Sequence, residues 1–291
     1  MKITYELKKK IEEVIGTEII AINSVSGGCI SNACRLDTKT GLNYFLKYND
    51  HTSNDMFLKE ANGLKELAKT GTIRVPQVIL AERTYILLEY VESNRPTKNF
   101  FEEFGRKFAE MHKYNSGTFG FFEDNYIGST DQKNIASEIE KTNWIEFYWN
   151  KRILFQYKLA EKNGYAASEL KLGIKELEAK ISEILSGSEE APSLLHGDLW
   201  GGNYMSDENG NACLIDPAVY YGHREADLAM TKLFGGFDRK FYSSYNEAFP
   251  LKDGSQHREN IYKLYHVLNH LNLFGRGYYS QAVSLIKSYF S

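Results

Sequence analysis

Apolar positions along the first ninety residues change period several times. Ile3, Leu7, Ile11, Val14 and Ile15 recur at helical spacing, and Gly16 supplies a stop. Residues 18–36 read as two strands joined by a Ser26-Gly27-Gly28 turn, and residues 42–48, entered from Gly41, read as a third. Met56, Phe57, Ala61, Leu64, Leu67 and Ala68 then mark one face of a helix over 55–68, with Glu60 lying among them. A carboxylate on an apolar face needs a partner. Residues 75–80 and 85–91 complete a set of five strands and a helix. Beyond them, Glu92-Ser93-Asn94-Arg95-Pro96-Thr97 breaks the apolar run and reads as a linker.

The remainder is mostly helical. Phe100, Phe104, Phe108 and Met111 space a helix that ends near residues 115–117, and a loop rich in Gly, Asn and Asp occupies 119–130. Helices are predicted over 137–162 and 168–185, short strands at 193–195 and 212–215, and further helices over 225–234, 239–248, 258–274 and 278–290. There is no internal repeat. The expected architecture is α+β and bilobal: residues 1–91 form a unit with a five-stranded antiparallel sheet plus helix, and residues 92–291 form a larger, mostly helical unit.

Composition narrows the class without naming the chemistry. The 291 residues carry 42% hydrophobic and 25% charged side chains, ordinary values for a soluble globular protein. With 35 basic and 38 acidic residues, nothing favours nucleic acid or an anionic membrane as partner. Charges at Lys2, Glu6, Lys8, Lys9 and Lys10 occupy the place of a signal peptide's apolar core, and no apolar run is long enough to span a bilayer, so the expected compartment is the cytoplasm. Cys29, Cys34 and Cys213 have no metal-ligand spacing, which suits a reducing compartment.

The candidate chemistry lies in Leu194-Leu195-His196-Gly197-Asp198-Leu199-Trp200-Gly201-Gly202-Asn203 and in Leu214-Ile215-Asp216-Pro217-Ala218. An acid, an amide five positions later, and a second acid after a short apolar run match the order in which protein kinases place a catalytic base, a magnesium-binding amide and a magnesium-binding carboxylate. Asp198 is the expected base; Asn203 and Asp216 are the expected Mg²⁺ ligands, oxygen donors suited to a hard cation. His196 is expected to orient the loop.

Upstream residues fit the same plan. Lys47, in the third strand, and Glu60, on the following helix, occupy the places of the lysine that contacts ATP phosphates and the glutamate that fixes it. A lone strand-end lysine is most often a solvated cation; its order relative to the downstream motif favours the functional role. Gly27 and Gly28 sit where a backbone flap would cover phosphates, although Gly-Gly between strands is by itself only a turn signal. Cys29, beside them, is either an incidental loop residue or a redox-sensitive thiol able to link two chains. Trp200 is either a core aromatic or a flat face offered to a substrate. Phe147, Tyr148, Trp149, Phe155 and Tyr157 read as core, and the His266/His270 pair, lacking an HExxH centre, as structural or substrate-lining.

Taken together, these segments resemble the fructosamine or ketosamine kinases, relatives of aminoglycoside and choline kinases with a protein-kinase-like fold. The likeness rests on Gly28-Cys29-Ile30-Ser31, Phe45-Leu46-Lys47, Glu60-Ala61, Arg74-Val75-Pro76, the run from Asp124 to Thr130, His196-Gly197-Asp198-Leu199-Trp200 with Gly202-Asn203, Asp216-Pro217-Ala218, Tyr221-Gly222-His223 and Phe234-Gly235-Gly236-Phe237. It implies ATP- and Mg²⁺-dependent phosphorylation of the C3 hydroxyl of a ribulosamine, erythrulosamine or fructosamine on a protein or small amine. The product decomposes to release the amine, which amounts to deglycation repair. The resemblance also implies that Gly27, Gly28, Cys29, Lys47 and Glu60 serve the nucleotide, that Glu89 and Val91 offer backbone groups to adenine, and that Trp200 lies against the sugar. A monomer and a dimer linked through Cys29 both remain open. The alternatives are a kinase for another hydroxylated amine, of aminoglycoside or choline type, and a non-catalytic pseudokinase.

Overall fold

The computed structural model describes residues 3–25, 32–49 and 54–290. Gly27, Gly28 and Cys29 lie outside these residues. Strands β1 (Ile19–Ser24), β2 (Asn32–Thr38), β3 (Asn43–Tyr48), β4 (Val78–Glu82) and β5 (Tyr85–Glu89) form one antiparallel sheet in the order β1-β2-β3-β5-β4. Helix α1 (Tyr5–Ile15) covers one face and α2 (Met56–Ala68) the other.

The two-residue period of the strands decides which side chain meets which helix. Leu46, Tyr48, Tyr85 and Leu87 pack with Ile11 of α1, whereas Phe45, Ile86 and Leu88 pack with Phe57, Ala61 and Leu64 of α2. Lys47 follows the odd-numbered set of β3 onto the α2 side. Its approach to Glu60 is thus fixed by strand parity.

Helix α3 (Phe100–Lys113) follows a stretch without helix or strand at 90–97, and then comes a hairpin of β6 (Asn125–Ile127) and β7 (Thr130–Gln132). Next come α4 (Trp144–Tyr148), a π-helical segment (Trp149–Leu154), α5 (Phe155–Lys162) and α6 (Ser168–Leu185). Short strands β8 (Ser193–Leu195), β9 (Tyr204–Ser206), β10 (Ala212–Leu214) and β11 (Tyr220–Gly222) pair as β8 with β11 and β9 with β10. The chain closes with α7 (Glu225–Thr231), α8 (Arg239–Ala248), α9 (Ser255–Phe274) and α10 (Tyr279–Lys287).

Differences from the sequence expectation have local causes. The helix expected from 137 starts at Trp144, because Asn143 caps it by accepting the Glu146 N–H, while Ser137 and Glu140 close a separate turn before it. The 119–130 loop contains β6 and enters β7. Strand β4 starts two residues after Pro76, which has no N–H to offer a ladder. Phe100, Phe104 and Phe108 do mark the buried face of α3 and pack beneath Leu194, Leu199 and Leu214, so the loops that follow β8 and β10 rest on an aromatic floor. Among the described residues, no helix is long and apolar enough to cross a membrane.

Candidate active site

The strand β8 is buried throughout and leads straight into His196-Gly197-Asp198. Gly197 has φ of 83°, and a Cβ there would fall 2.0 Å from the Ala218 carbonyl oxygen, so only glycine fits. The close approach lets the Ala218 N–H donate to the His196 carbonyl at 2.8 Å. The Asp198 loop and the segment after Asp216 are thereby stitched together.

The β9–β10 hairpin does the rest. Asn203 precedes β9 and Asp216 follows β10, and the Ile215 N–H donates to the Asn203 carbonyl at 3.0 Å. Asn203 Nδ2 donates to the Asp198 carbonyl at 2.7 Å and to Asp198 Oδ2 at 3.1 Å, which leaves its amide oxygen as the available ligand atom. Asp216 holds the left-handed backbone conformation at φ 54°, alone among the described non-glycine residues, and its side chain is 42% exposed.

Lys47 joins this group from the sheet. Its Nζ lies 2.8 Å from Glu60 Oε1 and also contacts Asp216 Oδ1. Burial opposes the ammonium charge, but Asp216 and Glu60 more than offset it and raise the pKa. Burial raises Glu60, with Lys47 opposing and Asp216 adding to the shift. Burial likewise pushes the Asp198 carboxyl well above the usual range; the Asn203 amide opposes this, and Asp216 and Asp227 reinforce it. The structure therefore brings Lys47, Glu60 and Asp216 into one charged group, and Asp198 and Asn203 into direct contact beside it.

His196 acts on the loop from within. Its Nδ1 accepts the Asp198 N–H at 3.3 Å, and its Nε2 faces the Ile215 carbonyl at 3.0 Å, a pairing that calls for a neutral ring with the proton on Nε2. Burial favours that neutral form. Asp227, which the sequence reading did not single out, accepts the backbone N–H groups of His196 and Gly197 at 2.7 and 2.8 Å and faces His112 Nε2 at 3.2 Å. Its only sequence signal is an acid among small apolar residues at the start of α7.

Trp200 is 40% exposed and stands edge-on to Phe234, with ring centroids 6.0 Å apart. Its indole lies so close over Gly202 that a Cβ there would sit 2.4 Å from the ring. Phe234 in turn meets His270 at 4.9 Å. His266 is buried, and its carbonyl faces His270 Nδ1 at 2.7 Å. Between the sheet and the helical part, Arg74 Nη2 pairs with Glu89 Oε1 at 2.5 Å and its Nη1 with Glu208 Oε2 at 2.6 Å. The Glu89 N–H donates to the Gln77 carbonyl at 2.9 Å, and Val91 is buried. Cys34 and Cys213 are buried, and burial raises their thiols to about 11 and about 12.

The sequence pattern of the fructosamine kinase family matches residues 3–291. The chain belongs to the fructosamine kinase family. It is 42% identical over 280 residues to the chloroplastic protein-ribulosamine 3-kinase of Arabidopsis thaliana, an alignment covering 94% of this chain and 83% of the relative. The crystal structure assigned to a fructosamine-3-kinase of Thermobifida fusca YX-ER1 superposes with a TM-score of 0.89 at 30% identity, over 99% of both chains. The streptomycin–ATP complex of the aminoglycoside phosphotransferase APH(2'')-IIa superposes with a TM-score of 0.63 at 14% identity, over 99% of this chain and 97% of that one, and shows the shared kinase-like fold. This fructosamine kinase family member is a phosphotransferase that uses ATP and an alcohol acceptor.

Proposed function

We propose that this protein is a ketosamine 3-kinase whose reaction is carried out by Asp198, Lys47, Glu60, Asn203 and Asp216, with Trp200 against the sugar. The observation that carries the reading is the convergence of the Lys47–Glu60–Asp216 group with the Asp198–Asn203 pair next to a partly exposed indole. Lys47, held by Glu60, binds the nucleotide phosphates. The carbonyl of Glu89 and the N–H of Val91 receive the adenine, since the Glu89 N–H is already engaged by Gln77. Asp198 orients the acceptor hydroxyl and takes its proton as the phosphoryl group transfers.

The oxygen donors here fit Mg²⁺. One carboxylate and one amide suit a hard ion whose other ligands are phosphates and water. Asn203 and Asp216 would hold it, and when bound it neutralises charge on the phosphate oxygens. A dication next to Asp216 would also counter the burial that raises Asp198 and so favour the ionised base.

The acceptor is the C3 hydroxyl of a ribulosamine-, erythrulosamine- or fructosamine-type adduct on a protein or small amine, and the role is deglycation in the cytoplasm. The test is turnover of Mg-ATP with these three ketosamines, choline and aminoglycosides, the phosphate position being read by NMR. Phosphorylation at C3 of a ketosamine is the expected result. Turnover of choline or an aminoglycoside alone would overturn the acceptor, and no turnover with any of them would favour a pseudokinase.

A further inference from the structure

The run from Glu123 to Gln132 stands outside the reaction described above, yet it grips both sides of the charged group. On one side Glu123, nearly buried, receives Lys59 Nζ at 2.7 Å and Asn62 Nδ2 at 2.8 Å. These two side chains flank Glu60 on α2. Tyr126 adds a third tie by donating its hydroxyl to Asp55 Oδ1 at 3.0 Å, at the N-cap position of α2. On the other side Asn125 Nδ2 donates to the Val219 carbonyl at 2.8 Å and Gln132 Nε2 donates to the Ala218 carbonyl at 2.9 Å, both just past Asp216.

The hairpin itself is held rigid. Asn125 Oδ1 accepts from Gln132 Nε2 at 2.9 Å and from Asn134 Nδ2 at 2.8 Å; Gln132 Oε1 accepts the Tyr265 hydroxyl at 2.7 Å; and Asn134 Oδ1 accepts from buried Arg152 at 2.7 Å. Each buried amide oxygen in this network thus has a partner, so the hairpin has one geometry to impose. Gly63 of α2 completes the contact, since a Cβ there would touch Val219 at 3.3 Å and Pro217 at 3.4 Å.

We propose that Glu123, Tyr126 and Asn125 are positioning residues that set the separation between α2 and the Asp216 segment, so that Glu60 and Asp216 both reach Lys47. Glu123 and Tyr126, whose side chains bond to Lys59, Asn62 and Asp55, act through Glu60 on nucleotide binding rather than on the Asp198 loop. This rests on the assignment of Lys47 and Glu60 to the nucleotide. Without the Glu123 grip, α2 is still held at its start by Asp55 and near its end by Glu66, which accepts the Tyr221 hydroxyl at 2.7 Å, but the turn that carries Glu60 loses its own tie and Glu60 drifts from Lys47.

The test is a double-mutant cycle on the full chain with Glu123→Ala, Glu60→Gln and the pair, reading KM for ATP, KM for a ketosamine, kcat, and binding of Mg-ADP by calorimetry. Glu123→Ala should raise the ATP KM and the Mg-ADP Kd about tenfold while the ketosamine KM stays within about twofold, and should add less than about twofold in the Glu60→Gln background. Full multiplicative effects in that background, or equal losses for ATP and ketosamine, would overturn the brace. If Glu60→Gln is defective and Glu123→Ala is not, the brace alone falls. If Glu60→Gln leaves nucleotide binding intact, the assignment beneath it falls too. Tyr126→Phe, which removes a single hydroxyl, keeps the question open to measurement should Glu123→Ala fold poorly: about threefold weaker Mg-ADP binding supports the brace, and no change overturns it.

Discussion

The carboxylate of Asp227 accepts the backbone N–H of Gly197 at 2.8 Å from a fully buried position. It also takes the His196 N–H, and because a carboxylate cannot donate, the facing His112 Nε2 carries the proton while His112 Nδ1 accepts the Tyr245 hydroxyl at 2.7 Å. Asp227→Asn replaces one acceptor oxygen with an amide NH₂ that opposes a backbone donor. An unpaired buried donor costs about 1–3 kcal/mol. We expect kcat to fall by about a hundredfold or more as the Asp198 loop loses its anchor, with Mg-ADP affinity retained. Stopped-time assays with parallel calorimetry measure both, and an unchanged kcat would refute the anchoring role.

Lys47→Met removes the cation that pairs with both Glu60 and Asp216 while keeping the stem that packs toward α2. The expected outcome is at least about a tenfold loss of Mg-ATP affinity, the scale of a charge-assisted contact with phosphate. Ketosamine binding should be unchanged. Equal affinity of variant and parent for Mg-ADP, measured by calorimetry, would remove Lys47 from the nucleotide site.

How far the sequence could be read depended on whether a signal was local. The order of Lys47 and Glu60 relative to the downstream motif was enough to pair them, and the spacing of Asp198, Asn203 and Asp216 was enough to group those three; the strand β9, which helps bring Asn203 toward Asp216, was not expected. Asp227 was not legible, because its backbone partners lie about thirty residues away and carry no side-chain pattern, and its side-chain partner His112 lies 115 residues away. The same holds for the hairpin inside 119–130: three-residue strands have no period to detect, and their purpose is set by carbonyls at 218 and 219. Arg74 was noted as part of a motif, but its ion pairs with Glu89 and Glu208 depend on the sheet meeting the β9–β10 turn.

Trp200 and Gly202 should behave as one unit. Trp200→Ala removes the partly exposed ring and is expected to raise the ketosamine KM about tenfold while leaving the ATP KM alone, the scale of an aromatic contact. Gly202→Ala keeps the ring but drives a methyl into it, so the indole must move and the ketosamine KM should rise in the same direction. If both variants retain the parental ketosamine KM and kcat, the indole does not touch the sugar.

Acid sensitivity provides a test away from the reaction. His266 is buried, its Nδ1 has no hydrogen-bond partner among the described residues, and burial, reinforced by His270, lowers its pKa from the ordinary 6.5 to about 3. A histidine whose folded pKa is depressed adds full stability above its unfolded value and loses it as pH falls, because the unfolded chain takes up a proton that the folded one refuses. Between pH 6.5 and about 3 this loss is about 1.4 kcal/mol per pH unit for one such group. His112, His196 and His223 are shifted in the same direction by burial, so the parent should lose stability steeply below pH 6.5. Asp227, held low despite burial by the hydrogen bonds from His112 and the Gly197 N–H, and Glu190, held low despite burial by its hydrogen bonds from Arg224 and the nearby positive charge, extend the decline once pH drops below the ordinary carboxylate range. His266→Leu deletes one term of this sum. Urea unfolding at pH 7.5, 6.0 and 4.5 should show the variant gaining on the parent by about 1.4 kcal/mol for each unit below 6.5, whatever its offset at pH 7.5. Parallel stability curves for the two proteins would mean that His266 takes up its proton in the folded state.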